Sequence, residues 1–81
     1  MRVKVQLFAR LRELAGRGEC DCEVPAGASV GDVWRAVADR HVSLRPFGGA
    51  ISCALNADFA RMNAPVQEGD EIAFLPPVSG G

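Results

Sequence analysis

The chain has 81 residues, 48% of them hydrophobic, and nine basic and ten acidic side chains give it a formal net charge of −1. This length allows one hydrophobic core but no catalytic cleft with a separate substrate domain, so we expect a single module rather than a self-sufficient enzyme. The balanced charge disfavours a nucleic-acid partner, and no apolar stretch approaches the roughly 20 residues of a membrane span, so we expect a cytoplasmic protein that binds neither nucleic acid nor membrane.

The first segment alternates like a strand and is followed by a short helical pattern. Between residues 2 and 8, apolar side chains occupy every second position: Val3, Val5 and Leu7. This alternation predicts a half-buried first strand rather than the apolar core of a signal peptide. Residues 10–15 then predict one or two helical turns that end at Gly16.

Two of the three cysteines lie in the next strand-like segment, residues 19–24. Strict alternation places Cys20, Cys22 and Val24 on one face and three carboxylates on the other, which predicts that both thiols belong to the core. A metal or redox site would favour a Cys-x-x-Cys loop or further ligands at usable spacing, and the single histidine falls at a predicted helix end. An odd number of cysteines also argues against a disulfide scaffold. We therefore expect structural thiols, including Cys53, and no metal.

The clearest helix begins after Ser29. A serine at this position followed by Asp32 three residues later is typical of a capping box. Apolar residues then recur at the spacing of one helix face: Val30, Val33, Trp34 and Val37. The pattern predicts one main helix with a single buried face.

Turn signals divide the second half of the chain into strands. Residues 51–55 and 71–75 alternate as strands, and a shorter strand is expected between them. Clusters of Pro, Gly, Asn and Asp predict the loops and turns, at residues 46–49, 56–58, 65 and 68–70.

This order of elements predicts an α+β fold of the β-grasp, ubiquitin-like type. About five strands would form a mixed sheet with one main helix packed on one face. We assign residues 1–75 to the β-grasp domain and residues 76–81 to a flexible, extended C-terminal tail.

The last six residues suggest a reactive terminus. Pro76 and Pro77 remove backbone donors and stiffen the exit from the fold. Gly80 and Gly81 have no side chains, so the backbone could enter a narrow cleft and present the carboxylate of Gly81. A flexible tail or a truncated end would also account for a bare Gly-Gly.

The whole chain resembles the small subunit of molybdopterin synthase. Most of the resemblance lies in the final thirteen residues, which read GDEIAFLPPVSGG, and less in two earlier motifs, at residues 8–16 and 54–56. The resemblance implies a sulfur carrier that binds no cofactor and needs no catalytic side chain of its own. An ATP-dependent, ubiquitin-activating-like adenylyltransferase would convert Gly81 into an acyl-adenylate, and a sulfur donor protein would convert that into a thiocarboxylate.

The same resemblance implies the acceptor of the sulfur. The tail would enter the large synthase subunit, in a heterotetramer of two small and two large subunits. There the sulfur would build the dithiolene of molybdopterin from cyclic pyranopterin monophosphate. Gly80 would give clearance, and Pro76, Pro77, Val78 and Ser79 would contact the partner.

A second indication comes from broken alternation. Phe8 and Leu75 are apolar at positions where the strand pattern calls for solvent-facing polar residues. In a β-grasp the first and last strands are neighbours, so these side chains would lie together, with Phe59 of the 56–60 turn beside them. Contiguous exposed apolar surface typically marks a binding site, so we predict a partner-docking patch. Alternatively, the tail or the 10–16 segment covers one or both residues.

Two other functions fit the same features. A sulfur carrier for the thiazole of thiamin or for an amino acid would share the fold and the diglycine. A ubiquitin-like protein modifier would instead join Gly81 to lysines through isopeptide bonds.

Overall fold

The computed structural model describes residues 1–77 of the chain. Within this range the elements are, in chain order, β1 (Arg2–Leu7), α1 (Ala9–Ala15), β2 (Glu19–Glu23), α2 (Val30–Arg40), a 3-10 helix (Val42–Phe47), β3 (Ser52–Leu55), β4 (Asp58–Ala60) and β5 (Glu71–Leu75). The predicted tail residues Val78, Ser79, Gly80 and Gly81 lie outside the described residues.

The strands form one mixed sheet in the order β2-β1-β5-β3-β4. β1 and β5 run parallel, whereas the other neighbouring pairs are antiparallel. β5 is paired on both edges, and its inward side chains Ile72 and Phe74 are fully buried. The predicted α+β architecture of the β-grasp type is therefore confirmed for the described part of the chain.

Helix α2 packs on one face of this sheet and is capped as predicted. The Ser29 hydroxyl accepts a hydrogen bond from the Asp32 backbone N–H at 3.2 Å, and the Asp32 carboxylate accepts one from the Ser29 N–H at 2.9 Å. Two further N–H groups, of Val30 and Gly31, donate to the carbonyls of residues 64 and 62. The N-terminal donors of the helix are thus satisfied within the fold, which fixes where α2 begins.

The core lies between α2 and the sheet. Trp34 of α2 meets Phe74 of β5 edge to face, with ring centroids 5.1 Å apart. The inward side chains of β1 and β2 complete this layer, so that both cysteines of β2 are buried, as is Cys53 of β3. Burial raises the pKa of each of these thiols, which favours the protonated form. Their prediction as core residues is confirmed.

Local assignments at the end of β1 and before β3 differ from the sequence expectation. β1 ends at Leu7 rather than at residue 8, because Ala9 takes a left-handed φ of +51° and turns the chain into α1. Phe8 stays extended and still donates its N–H to the Phe74 carbonyl at 3.3 Å. Its side chain therefore lies on the same face of the sheet as Gln6, opposite the buried Leu7. The predicted loop at residues 46–49 overlaps the end of a 3-10 helix, Val42–Phe47, whose Leu44 is fully buried.

Candidate functional site

The candidate site lies on the outer face of the sheet, which is the face opposite α2. A row of paired residues crosses four strands there: Gln6, Ala73, Ala54 and Phe59. Successive side chains of a strand point to opposite faces of the sheet. Ala73 therefore points outward, since its neighbours in β5, Ile72 and Phe74, are fully buried on the inner face. Because Ala73 and Ala54 have short side chains, the surface forms a low strip along the middle of this row.

Larger apolar side chains surround this low strip and make an apolar groove of about 340 Å³, lined by Gln6, Phe8, Ala54, Ala57, Phe59, Glu71, Ala73 and Leu75. The structure therefore brings Phe8, Phe59 and Leu75 together, as the broken alternation predicts. Phe59 is 89% exposed and Phe8 43% exposed. Leu75 is only half-buried rather than fully solvent-facing, because β1 and β3 flank the strand that carries it.

Phe59 owes its position to a tight hairpin. The expected 56–60 turn proves to be two turn residues followed by the short strand β4, so Phe59 lies in a strand and not in the turn. Asn56 and Ala57 both have left-handed φ values, +51° and +74°, as a two-residue hairpin loop of the primed type requires. The hairpin folds β4 onto β3 in a register that directs Phe59 outward.

The outer face over β1 and β2 is charged instead of apolar. Exposed ion pairs join Arg2 to Glu23 at 3.3 Å and Lys4 to Glu19 at 3.5 Å. Exposed pairs of this kind contribute about 0–1 kcal/mol each, so they matter more for solubility than for stability. The outer face thus divides into a charged half and an apolar half.

The apolar groove can bind but has little chemistry of its own. Its titratable member, Glu71, is exposed, and the other lining side chains are amide or apolar. Within residues 1–77 there is no group of three or more His, Cys, Asp or Glu side chains that could hold a metal. Pro76 and Pro77 continue directly from β5, half-buried and exposed respectively, so the chain leaves the sheet beside Leu75. None of the helices in this range is long and apolar enough to cross a membrane.

Fold and groove together define a class, that of small β-grasp, ubiquitin-like proteins with an apolar surface next to the point where the C-terminal segment leaves the sheet. Comparison with known proteins then gives the family. The model of the ThiS family matches residues 5–81, and the chain belongs to this family.

Two curated relatives are similar over nearly the whole chain. The molybdopterin synthase sulfur carrier subunit of Arabidopsis thaliana is 35% identical over 79 residues, covering 98% of this chain and 82% of the relative. Small archaeal modifier protein 1 of Haloferax volcanii is 37% identical over 84 residues, covering 94% of this chain and 97% of the relative.

Solved structures agree with both relationships. The crystal structure of SAMP1 from Haloferax volcanii matches with a TM-score of 0.89 at 35% identity, covering 100% of both chains. A protein-protein complex of subunits 1 and 2 of molybdopterin-converting factor from Helicobacter pylori matches with a TM-score of 0.68 at 27% identity, also over 100% of both chains.

Proposed function

We propose that this chain is the sulfur carrier subunit of a molybdopterin synthase. The observation that carries the proposal is the full-length similarity to a curated subunit of that name. The sequence of the final residues supports it, because Pro76 and Pro77 followed by Gly80 and Gly81 suit a terminus that must reach into another protein's active site.

The chemistry proposed for Gly81 follows from the reactivity of a carboxylate, which is a poor electrophile until one oxygen becomes part of a leaving group. The carboxylate attacks the α-phosphorus of ATP on the activating enzyme, giving the acyl-adenylate and pyrophosphate. A persulfide on a donor protein then attacks the acyl carbon and displaces AMP, giving an acyl disulfide. A thiol reductant cleaves the S–S bond of this disulfide and releases the thiocarboxylate, in which one oxygen is replaced by sulfur. This group is a sulfur nucleophile and can attack the pterin precursor held by the large subunit. The side chains that donate and accept protons would belong to the partners.

The apolar groove would bind the partner protein and so keep the carrier docked while its C-terminal tail reacts. Phe8, Phe59 and Leu75 are the apolar anchors, and the route of Pro76 and Pro77 from β5 would start the tail next to the seated partner. Val78 and Ser79 would lie along the partner's entry channel. The Helicobacter complex of subunits 1 and 2 supports a large-subunit partner, in the proposed assembly of two small and two large subunits.

A protein modifier is the second candidate function. The similarity to small archaeal modifier protein 1 favours it, since that relative matches this chain as well as the sulfur carrier does. Both functions begin with activation of the terminal carboxylate. They differ in what the activated group becomes: a thiocarboxylate in the carrier and an isopeptide bond to a lysine in the modifier.

Intact-mass analysis tests the proposal. The chain is incubated with its activating enzyme, ATP and a sulfur source, then reduced with dithiothreitol to remove any persulfide from the cysteines. We expect a product in which one oxygen is exchanged for sulfur, located at Gly81 by fragmentation. A variant lacking Gly81 should stay unmodified under the same conditions. Recovery of only the carboxylate, or only of lysine conjugates, would contradict the sulfur-carrier function.

A further inference from the structure

The turn between β3 and β4 is tied to the start of β5 by one side chain. The Asn56 amide nitrogen donates to the Asp70 carboxylate at 3.0 Å, and the Asn56 amide oxygen accepts from the Glu71 backbone N–H at 3.0 Å. We propose that Asn56 is a positioning residue for partner docking, which sets where Phe59 stands relative to Leu75. This inference rests on the docking role proposed above for the apolar groove.

The side chain of Asn56 takes the place of a backbone group in the ladder between β3 and β5. The regular pairing of the two strands ends with Leu55 opposite Ile72. At the next pair, the Asn56 N–H still donates to the Glu71 carbonyl at 2.8 Å. The return bond from the Glu71 N–H goes to the Asn56 side chain, at the residue whose left-handed φ turns the chain out of the ladder. The ladder is therefore extended by one residue into the turn.

The other end of this link is fixed to the centre of the sheet. Asp70 also accepts from the Gln67 N–H at 2.7 Å, and its carbonyl accepts from the Lys4 N–H of β1 at 2.9 Å. The preceding Gly69, with φ +84°, donates its N–H to the Arg2 carbonyl. Through Asp70, Asn56 thus connects the hairpin of an edge strand to the starts of β1 and β5, the two strands that lead to Phe8 and Leu75 at their other ends.

This link matters for Phe59 because β4 has little else to hold it. β4 is three residues long and pairs with β3 alone among the described strands. Phe59 is almost fully exposed, so contacts of its own ring do not fix it. A docking surface needs its anchors held in place before the partner arrives, since ordering them on binding costs affinity. The Asn56 link supplies this order.

Asparagine suits the position for two reasons. It tolerates the left-handed region better than most residues, and its amide provides a donor and an acceptor at once. Glycine would keep the backbone angle without the hydrogen bonds. Aspartate would keep the acceptor but would place a second carboxylate against Asp70.

The test measures the affinity of full-length variants for the synthase large subunit by calorimetry. Asn56→Gly removes both side-chain hydrogen bonds, and we expect binding to weaken about tenfold, the change that about 1.4 kcal/mol produces. The double variant Asn56→Asp with Asp70→Asn exchanges the two groups and restores every donor and acceptor of the link, so affinity should return to within about threefold of the original chain. Asn63→Gly, the same change at an exposed asparagine after β4, is the matched control and should bind as the original chain does.

Phe59→Ala separates failure of this inference from failure of the proposed docking. If Phe59→Ala binds the large subunit as tightly as the original chain, the apolar groove is not the docking surface and the proposed function loses its interface. If Phe59→Ala binds weakly but Asn56→Gly does not, the groove stands and the positioning role of Asn56 is wrong. Loss of affinity in Asn56→Gly that the exchanged pair does not rescue would also overturn it, because the hydrogen bonds would then not be the cause.

Discussion

Ala57 occupies a backbone conformation that favours glycine. Its φ of +74° brings the Cβ close to the carbonyl, a conformation that costs an L-residue roughly 1–2 kcal/mol. Ala57 is exposed, so its methyl group adds little packing to offset this strain. Glycine would relieve the strain but would lose more conformational entropy on folding, by roughly 0.5–1 kcal/mol. We therefore expect Ala57→Gly to raise the free energy of unfolding by about 0.5 kcal/mol.

Urea unfolding monitored by Trp34 fluorescence measures this change. Ala60→Gly, in the neighbouring strand where the backbone needs no left-handed angle, is the control and should lower stability. A drop in stability for Ala57→Gly comparable to that of Ala60→Gly would mean that the turn is not strained at Ala57.

At the level of single residues, the sequence predicts which side chains break the strand alternation. It does not predict which side chains come into contact through the pairing register of two strands. Phe8 and Leu75 are conspicuous because they are apolar at outward positions, and the structure does place them on one face with Phe59. The contact between Asn56 and Asp70 joins residues fourteen positions apart and depends on the alignment of β3 with β5. No local pattern encodes that alignment, so the sequence marks Asn56 as a turn residue and as part of the 54–56 motif but not as a partner of Asp70.

The capping box of α2 gives a prediction for a whole element. Ser29→Ala removes the acceptor for the Asp32 N–H and should lower the free energy of unfolding by about 1 kcal/mol in urea titrations at neutral pH. Ser52→Ala, at an exposed serine of β3, is the matched control and should change stability little. Equal stability of Ser29→Ala and the original chain would show that the carbonyls of residues 62 and 64 suffice to cap the helix.

The cap should also respond to acid. The hydrogen bond from the Ser29 N–H, followed by the Arg35 guanidinium, lowers the pKa of Asp32 below its usual value. The folded state therefore favours the charged carboxylate, and the resulting stability is present above the ordinary pKa of aspartate and is lost as the pH falls through the lowered value. The stability difference between the original chain and Asp32→Ala should accordingly shrink in acid.

The main strands and α2 could be predicted from local sequence patterns, whereas the 3-10 helix and the bounds of β4 could not. α2 has eleven residues, a capping signal and a repeating apolar face, and its predicted start and buried face agree with the structure. The 3-10 helix at Val42–Phe47 contains Pro46 and precedes two glycines, which are loop signals. Its shape depends instead on the burial of Leu44 against the core, a tertiary contact that overrides weak local preference. The sequence predicts a short strand between β3 and β5 but not its bounds, because the three residues of β4 are too few to show alternation.

Over the whole molecule, the sheet separates stability from the proposed binding function. Its inner face packs on α2 and holds the fully buried side chains, whereas the outer face carries the apolar groove. Leu75 and Phe59 differ in whether they also contribute to stability. Leu75 is half-buried between two strands, so truncating it would weaken the fold together with any docking. Phe59 is almost fully exposed and has few contacts to lose within residues 1–77, so its truncation tests docking with less effect on the fold.

We expect Phe59→Ala to weaken binding to both the synthase large subunit and the activating enzyme, since one body must present the same tail to two active sites in turn. Central apolar anchors commonly contribute 2 kcal/mol or more to an interface, which corresponds to a loss of affinity of roughly thirtyfold. Because Phe59 is 89% exposed, the melting temperature of the isolated variant should stay almost unchanged. The matched control is Val42→Ala, at an exposed apolar residue of the 3-10 helix that does not line the groove. It should affect neither affinity.

A shared docking surface also requires the two complexes to exclude each other. Adding the large subunit to a preformed complex of the carrier and a fluorescently labelled activating enzyme should release the labelled enzyme, and the midpoint of release should rise as the concentration of the activating enzyme is raised. Formation of a stable ternary complex would show that the partners use different surfaces. A Phe59→Ala variant that loses affinity for one partner and keeps it for the other would also show that the partners use different surfaces. An anchor residue shared by both interfaces should be needed by both partners.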